Sequence, residues 1–251
     1  MSLSDRIYFW GRSLLEIKTD DQILAGYPKT GSTWIRFYLY SLLSQNEPNA
    51  LLTIDSMNDV MPEFAHSSFL RPWPFTECGR IVKTHQRGLP FLRNKRTALI
   101  VRDPRDIVVS YFYYALGLKS SVFDGNISDA LRHPKMGAES FFQHYASWRD
   151  YAGLILRYED LKDDPLAGFS SLTAFYGIQR SSDEIQNAID QANFSSMRTA
   201  QQNSNQLRSE FKEGYQFVRS GKKAQWKELF NKNDITYYEC LKKKYNFNLY
   251  D

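Results

Sequence analysis

A short apolar run that ends in a glycine-bounded turn constrains the fold of this chain most strongly. Residues 22–27 (Gln-Ile-Leu-Ala-Gly-Tyr) predict a buried strand, and the turn from Pro28 to Thr33 ends it. From Trp34, apolar residues recur at helical spacing as far as Leu43. A strand, a tight turn and a helix in this order favour an α/β fold in which N–H groups at a helix N-terminus can face an anion.

Three further apolar runs, at residues 80–83, 97–101 and 154–158, predict the remaining strands. Strands that are almost wholly apolar and that alternate with helices are typical of a parallel sheet covered on both faces. No long polar or low-complexity stretch interrupts the pattern. We therefore predict a single α/β domain over residues 1–251, with a central, mostly parallel sheet flanked by helices.

Helical periodicity and proline placement predict where the helices lie between these strands. Pro104 fits the first turn of a helix, because the missing N–H has no partner there. Further helices are predicted at residues 139–151, 165–176, 182–192 and 226–245. The remaining long segments are predicted to be irregular (46–78), a loop (117–138) and a polar, mobile stretch (198–216).

Charge and cysteine content limit which classes of partner and which cellular compartment the sequence favours. The 32 basic and 28 acidic residues give a net charge of +4, which is too balanced to indicate a nucleic-acid partner. No apolar run reaches the about 18 residues of a membrane span, and the first residues do not resemble a signal peptide. Cys78 and Cys240 lie far apart and lack metal-ligand spacing. These observations predict a cytoplasmic protein with no membrane partner and no bound metal.

The turn after the first strand has the frame of a phosphate-binding loop, with one difference. Gly26 and Gly31 have the spacing of the G-x-x-x-x-G-K-[ST] motif, but Ser32 occupies the lysine position and Lys29 lies within the loop. Backbone N–H groups can still hold a phosphate there. The displaced lysine argues against a P-loop kinase that uses ATP and magnesium, which we keep as the nearest alternative.

The segment Tyr-Pro-Lys-Thr-Gly-Ser-Thr-Trp at residues 27–34 resembles the 5′-phosphosulfate loop of cytosolic-type sulfotransferases. That family transfers sulfuryl groups from 3′-phosphoadenosine-5′-phosphosulfate (PAPS), which leaves as PAP, on a P-loop-like sulfotransferase fold. The resemblance implies that the loop holds the 5′-phosphate, that its lysine assists the leaving oxygen and that its tryptophan lies against adenine. The residues that would take these roles are Lys29, Thr30, Gly31, Ser32, Thr33 and Trp34.

A second motif, Lys83-Thr84-His85, closes the second predicted strand. A histidine at a strand end can accept a proton from an acceptor hydroxyl near neutral pH. The motif is similar to the K-[ST]-H of the same family, in which the histidine is the general base. The resemblance therefore implies that His85 is the base and that Lys83 stabilises the group in transfer. A non-catalytic nucleotide-binding protein, the other alternative, would have no use for a base there.

Three more motifs resemble the family's nucleotide-binding residues. Arg102 and Ser110 match an arginine and a serine that hold the 3′-phosphate, although Arg102 could instead pair with Asp103 or Asp106. Tyr158, in a Tyr-Glu-Asp-Leu segment, matches a tyrosine at the adenine edge.

Phe194 matches a phenylalanine that stacks on the adenine. Near the C-terminal end, Arg219 and Gly221 match the last motif, but Ser220 replaces one of its basic residues, for which Lys222 or Lys223 would have to substitute.

The acceptor is less defined than the donor. The resemblance implies a small molecule that offers a hydroxyl or an amine or amide nitrogen, with no metal in the reaction. The aromatic segments 56–78 and 112–145, which include Phe64 and Phe141, are predicted to line its pocket. The short chain favours a bacterial enzyme of specialised metabolism. The family's C-terminal dimer motif is not evident, so the oligomeric state is left open.

Overall fold

A computed structural model describes residues 3–45, 53–67, 69, 71–216, 218–219 and 221–250. Its described part forms one four-stranded, all-parallel sheet in the order β2-β1-β3-β4. The strands are β1 (Gln22–Gly26), β2 (Ile81–Thr84), β3 (Thr97–Val101) and β4 (Leu154–Arg157). The predicted α/β class with a parallel sheet is confirmed, and the strands lie within one or two residues of the predicted positions.

Register places the ends of three strands side by side. Ala25 of β1 pairs with Thr84 of β2, and Gly26 pairs with Ile100 of β3. Because all strands run in the same direction, the segments that follow β1, β2 and β3 leave the sheet at the same edge. Ligands of open α/β sheets bind at this carboxyl edge.

Helices flank the sheet and connect its strands. The helices that precede β3 are α1 (Leu3–Glu16), α2 (Ser32–Leu43), α3 (Ile54–Val60) and α4 (Pro90–Arg93). Those from β3 to residue 175 are α5 (Pro104–Gly117), α6 (Ile127–Arg132), α7 (Ala138–Trp148), α8 (Tyr158–Asp163) and α9 (Pro165–Phe175). The last are α10 (Ser182–Gln191), α11 (Phe194–Gln202), α12 (Asn205–Glu210) and α13 (Lys232–Lys244), with a 3₁₀ turn at Gln225–Glu228 before α13. Among the described residues, no helix is both long enough and apolar enough to cross a bilayer.

Several short helices lie where irregular structure was predicted. Helix α6 lies inside the predicted loop 117–138, because the Asn126 side chain accepts hydrogen bonds from the N–H groups of Ser128 and Asp129. Helix α3 begins after a Thr53 capping box within residues 46–78, and α11 and α12 occupy part of residues 198–216. These helices are too short for a periodic apolar pattern, so their caps are the main sequence signal.

Two apolar cores lie on opposite faces of the sheet. Leu24 packs into the core beside α2, α9 and α10, whereas its neighbours Ile23 and Ala25 pack into the core beside α5, α7 and α13. This alternation follows from the period of two in a strand. Both faces of β1 are therefore buried, and its carboxyl end is held rigidly between its neighbours.

A buried ion pair fixes the start of β2. The Arg80 guanidinium donates to both carboxylate oxygens of Asp21, at 2.8 and 2.6 Å, and also to the carbonyls of Glu16 and Phe69. The side chains of Arg80 and Asp21 are only 8% and 1% exposed. One arginine thus joins the end of α1, the residue before β1 and the residue before β2.

Replacing Asp21 with Asn should destabilise the fold strongly. The variant leaves the buried Arg80 charge without its counter-ion, a change that typically costs about 3–5 kcal/mol. Urea unfolding should show this loss as a lower midpoint. Asp59→Asn is the control, because Asp59 pairs with Arg71 at 3.0 Å where the two side chains are 59% and 67% exposed; it should cost under about 1 kcal/mol. Equal effects of the two variants would contradict a structural role for the buried pair.

Candidate active site

A cleft of about 780 Å³ opens at the carboxyl edge of the sheet. Its walls come from the turn after β1, the ends of β2 and β3, and the segment around residue 220. The predicted site residues that line it are Lys29, Gly31, Ser32, Thr33, Trp34, Lys83, His85, Arg102, Ser110, Tyr158, Phe194, Arg219 and Gly221. Motifs spread over some 190 positions of the sequence thus meet in one cavity.

The turn after β1 is shaped by two residues in the left-handed region. Lys29 has a φ of 74° and Gly31 a φ of 101°. A Cβ atom on Gly31 would lie 2.7 Å from Cδ2 of Tyr158, so this position requires glycine. Gly31 also caps α2 and has no side chain to offer, which leaves the first N–H groups of the helix directed at the cleft.

Thr30 differs from its neighbours in the loop. Its side chain is fully buried, its hydroxyl donates to the carbonyl of Tyr27 at 2.8 Å, and its own N–H donates to the same carbonyl at 3.3 Å. Thr30 therefore holds the shape of the turn from within. The loop groups that face the cleft belong to Lys29 and to the residues that follow Thr30.

Lys29 lies in a desolvated, positively charged environment. Its Nζ atom is 4.3 Å from the centre of the Tyr114 ring. Burial, followed by the charges of Arg102, Lys83 and Arg219, lowers the pKa of Lys29 to about 7. An anion at this position would offset the repulsion and favour the charged lysine.

Arg102 extends from the end of β3 across the loop. It donates to the carbonyls of Lys29 at 3.3 Å and Lys222 at 3.1 Å, and its guanidinium lies over the Tyr158 ring. Its Nε atom is buried and makes no hydrogen bond to any described residue. A buried arginine with an unused N–H fits an anionic ligand.

Asp103 does not pair with Arg102. Its carboxylate binds Arg105 instead, through hydrogen bonds of 2.8–3.2 Å.

Over the described ranges, no three His, Cys, Asp or Glu side chains are grouped so that they could hold a metal ion.

The segment around residue 220 covers one side of the cleft. Arg219 lies over the Tyr113 ring and donates to Gln225 at 2.6 Å, while the Tyr158 hydroxyl donates to the Gly221 carbonyl at 3.3 Å. Ser220, the predicted substitution of a basic residue, lies outside the described residues. Of the two lysines expected to compensate, Lys223 pairs with Asp163, and neither side chain lines the cleft.

Trp34 and Phe194 provide aromatic surface in the same cleft. Trp34 packs edge-on against Tyr158 and Phe169, with ring centres 5.8 and 5.1 Å apart. Phe194 begins α11 and is 37% exposed, which is unusual for a phenylalanine in this chain. Exposed aromatic surface beside Arg102 and Arg219 is suited to a flat, charged ligand.

The geometry of His85 assigns its tautomer. Its Nδ1 atom lies 2.5 Å from the Gly26 carbonyl, and a carbonyl can only accept, so Nδ1 carries the proton. Nε2 is therefore left with a lone pair. Burial, together with the charge of Lys83, lowers the pKa of His85 to about 3, so the ring is neutral at ordinary pH.

Glu63 lies in a segment that the sequence predicts to line the acceptor pocket, but its contacts with Lys83 and His85 emerge only from the structure. Its Oε2 atom accepts from Lys83 Nζ at 2.7 Å, and its Oε1 atom is 3.9 Å from His85 Nε2. The residues around it pair with β2: Lys83 N–H donates to the Pro62 carbonyl, and Phe64 N–H donates to the Lys83 carbonyl.

The aromatic residues predicted to line the acceptor pocket lie mostly elsewhere. Phe64 is fully buried and Phe141 is 1% exposed, both within the core on the α7 face of the sheet. The prediction holds only in part: Tyr114, Glu63 and His66 line the cleft, but most of the aromatic density in these segments reflects core packing. Further apolar walls of the cleft come from residues of α3, α10, α11 and α12, namely Ile54, Met57, Ile189, Met197 and Leu207.

Comparison with known proteins identifies relatives of this chain. Sulfotransferase 6B1 of Mus musculus is 26% identical over 257 residues, which cover 90% of this chain and 78% of the mouse protein. An amine sulfotransferase of Oryctolagus cuniculus is 25% identical over 238 residues, covering 84% of this chain and 76% of the rabbit protein.

Solved structures show the same fold. Retinol dehydratase in complex with androsterone and the inactive cofactor PAP superposes with a TM-score of 0.74 at 20% identity, over 98% of this chain and 85% of that one. A mouse sulfotransferase complexed with PAP superposes with a TM-score of 0.72 at 20% identity, over 99% of this chain and 91% of that one. Residues 19–244 match the model of the sulfotransferase domain. The chain belongs to the sulfotransferase family.

Proposed function

We propose that this sulfotransferase moves a sulfuryl group from PAPS to a hydroxyl or an amine or amide nitrogen of a small-molecule acceptor. One observation carries the proposal: a single cleft holds an anion-binding turn with Lys29, two arginines, and a neutral His85 beside Lys83. Two solved neighbours with the same fold hold PAP, which is PAPS without its sulfuryl group.

The residues that line the cleft fit the parts of the proposed donor. The N–H groups of Ser32 and Thr33 at the start of α2 would hold the 5′-phosphate. Arg102, with its unused Nε, would hold the 3′-phosphate together with Ser110 and Arg219.

The adenine would lie against the aromatic surface of the cleft. Trp34 and Phe194 would contact its faces, and Tyr158 would meet its edge.

Lys29 and Lys83 would act on charge that develops in the transition state. When bound, PAPS supplies a sulfuryl group on a phosphate that can leave as part of PAP. Lys29 would stabilise the negative charge that grows on the bridging oxygen, and Lys83 would stabilise the sulfuryl oxygens. Lys83 is buried and Lys29 is half-buried, so water screens their interactions with the reacting group only partly.

His85 would act as the general base through Nε2. The acceptor loses its proton to Nε2 while its heteroatom forms the new bond to sulfur, and the old sulfur–oxygen bond breaks with its electron pair on the phosphate oxygen. The Gly26 carbonyl keeps the proton on Nδ1, so the lone pair of Nε2 stays directed away from β1.

The alternatives fit the same residues less well. A P-loop kinase would need a lysine at Ser32 and an acidic group for magnesium, but the Asp103 carboxylate is bound to Arg105. A purely nucleotide-binding protein would not need a histidine held in a single tautomer next to a lysine. The position of His85 therefore favours an enzyme.

PAP should stabilise the protein far more than ATP with magnesium does. A ligand that binds only the folded state at about 100 times its Kd adds about 2.7 kcal/mol, which corresponds to roughly 5–10 °C in the melting temperature of a chain of this size. Thermal unfolding with each nucleotide measures the effect. An equal shift with ATP and magnesium would support the kinase alternative and overturn the donor assignment.

Replacing His85 with Asn should lower turnover by about two to four orders of magnitude, the usual yield of acid–base catalysis. The affinity for PAP should barely change, because Nε2 faces the acceptor. Initial rates with labelled PAPS and a high-pKa alcohol acceptor provide the measurement.

His66→Asn is the matched control, because His66 lines the same cleft but its side chain is 44% exposed and its Nδ1 atom contacts the Phe64 carbonyl. A nearly normal rate for His85→Asn, with a large loss for His66→Asn, would transfer the role of base to His66.

A further inference from the structure

Glu63 is held in place more firmly than a side chain of a surface segment would be. The residues on either side of it are hydrogen-bonded to Lys83 of β2, at 3.0 Å through the Pro62 carbonyl and at 2.8 Å through the Phe64 N–H. The N–H of Glu63 itself donates to the Ser67 hydroxyl at 2.7 Å. Its backbone thus forms a short extension of the sheet beside β2, and its carboxylate has a fixed position at the carboxyl edge.

Helix α2 supports the same segment from the other side. Arg36 is 4% exposed and donates to Oδ1 of Asn58 and to the Met61 carbonyl. Because α2 begins at the phosphate loop, its position and that of Glu63 are coupled through this arginine. The carboxylate is therefore preorganised with respect to the loop as well as to β2.

The two oxygens of the Glu63 carboxylate face different groups. Oε2 accepts from the Lys83 ammonium at 2.7 Å, whereas Oε1 lies between two histidines, 3.6 Å from His66 Nδ1 and 3.9 Å from His85 Nε2. Because Nε2 carries a lone pair and the carboxylate is also an acceptor, the two form no hydrogen bond, and Nε2 can meet an acceptor proton. The carboxylate is still close enough to interact strongly with an imidazolium at this position.

Every charged group around Glu63 bears on its ionisation. Burial raises the pKa of Glu63, but Lys83, His85, His66 and Arg36 outweigh burial and hold it below its usual range. Glu63 is therefore an anion at neutral pH.

The Glu63 carboxylate acts on the pKa values of Lys83 and His85 in the same direction. Burial lowers the pKa of Lys83, and Arg36 adds to the effect, while Glu63 opposes both. Burial and the charges of Lys83 and His144 lower the pKa of His85, and Glu63 again opposes them. Removal of Glu63 would therefore lower both pKa values.

We propose that Glu63 is a positioning residue of the transfer reaction, serving as counter-ion first to Lys83 and then to the imidazolium that His85 becomes. The inference rests on the proposed function. In the resting site Glu63 keeps the Lys83 ammonium charged and aimed into the cleft. When the acceptor proton bonds to Nε2, a second positive charge forms beside Lys83, and Glu63 offsets the repulsion between them. The proton stays on Nε2 until it is lost to solvent, so Glu63 neither gains nor loses a bond.

The ionisation of Lys83 in the free protein gives a test that needs no turnover. Competitive labelling of lysines with acetic anhydride across a pH series, analysed by mass spectrometry, reports the pH at which Lys83 becomes reactive. In Glu63→Gln this pH should fall by about one unit or more, because an opposite charge at this distance supports the charged form by about that amount. Asp59→Asn, a carboxylate variant in α3 on the solvent side, should leave it unchanged. An unchanged labelling profile in Glu63→Gln would overturn the proposal.

The pH dependence of turnover provides the second readout. The reaction needs Lys83 charged, and its pKa falls without Glu63, so the alkaline limb of the rate at saturating PAPS should move to lower pH in Glu63→Gln. Turnover at its best pH should fall about tenfold or more, and Glu63→Asp should recover part of it. An alkaline limb that belonged to Lys29 would move to higher pH instead. The charge of Lys83 lowers the pKa of Lys29, and a Lys83 that is less often charged lowers it less.

These measurements distinguish a failure of the proposed function from a failure of the proposed role of Glu63. An equal rise in melting temperature with PAP for wild type and Glu63→Gln shows that the variant is folded and that the donor site is intact. Absence of PAPS-dependent turnover in the wild type would refute the proposed function, while labelling would still decide whether Glu63 controls Lys83. Normal turnover and an unshifted alkaline limb in Glu63→Gln, with an active wild type, would refute the role of Glu63 alone.

Discussion

Positive charge buried at one edge of the sheet is the constraint on which the site depends. Lys29, Lys83, Arg102 and Arg219 converge where three parallel strands end, and the charges of the other three act together with burial to depress the pKa of Lys29. Glu63 offsets part of this charge at Lys83, and the rest lowers the stability of the fold unless a further anion joins it. The loop at Gly31 provides the place for one, because its left-handed backbone turns helix N–H groups towards the cleft.

Pairing between β1 and β2 connects this loop to His85, the proposed base. The register sets Thr84 beside Ala25, so the residue after β2 reaches the carbonyl that ends β1. The resulting bond from His85 Nδ1 to the Gly26 carbonyl fixes the tautomer and keeps the histidine next to the loop that we propose holds the donor. The proposed donor loop and the proposed base are thus positioned by the same pair of strands.

Local patterns were sufficient to predict the strands and the motifs at their ends. The apolar run at residues 97–101 gave the bounds of β3 without error, and the motif residues Lys29, His85 and Arg102 meet in one cleft. The contact of Glu63 with Lys83 could not be predicted, because it comes from a backbone pairing with β2 across 20 positions of sequence. The aromatic segments misled for a related reason: composition does not distinguish a core ring such as Phe141 from a ring in a pocket wall.

The central claim is that this edge of the sheet is built for a polyanionic nucleotide, and proton uptake on PAP binding tests it most directly. Near pH 8 the phosphates of PAP are fully ionised, whereas Lys29, with its pKa lowered to about 7, is mostly neutral. Bound phosphate should raise that pKa, so calorimetry in buffers of different ionisation enthalpy should show uptake of about one proton and an affinity that falls as the pH rises. Lys29→Met should abolish the uptake. Binding without proton uptake in the wild type, or with equal uptake in Lys29→Met, would contradict the account.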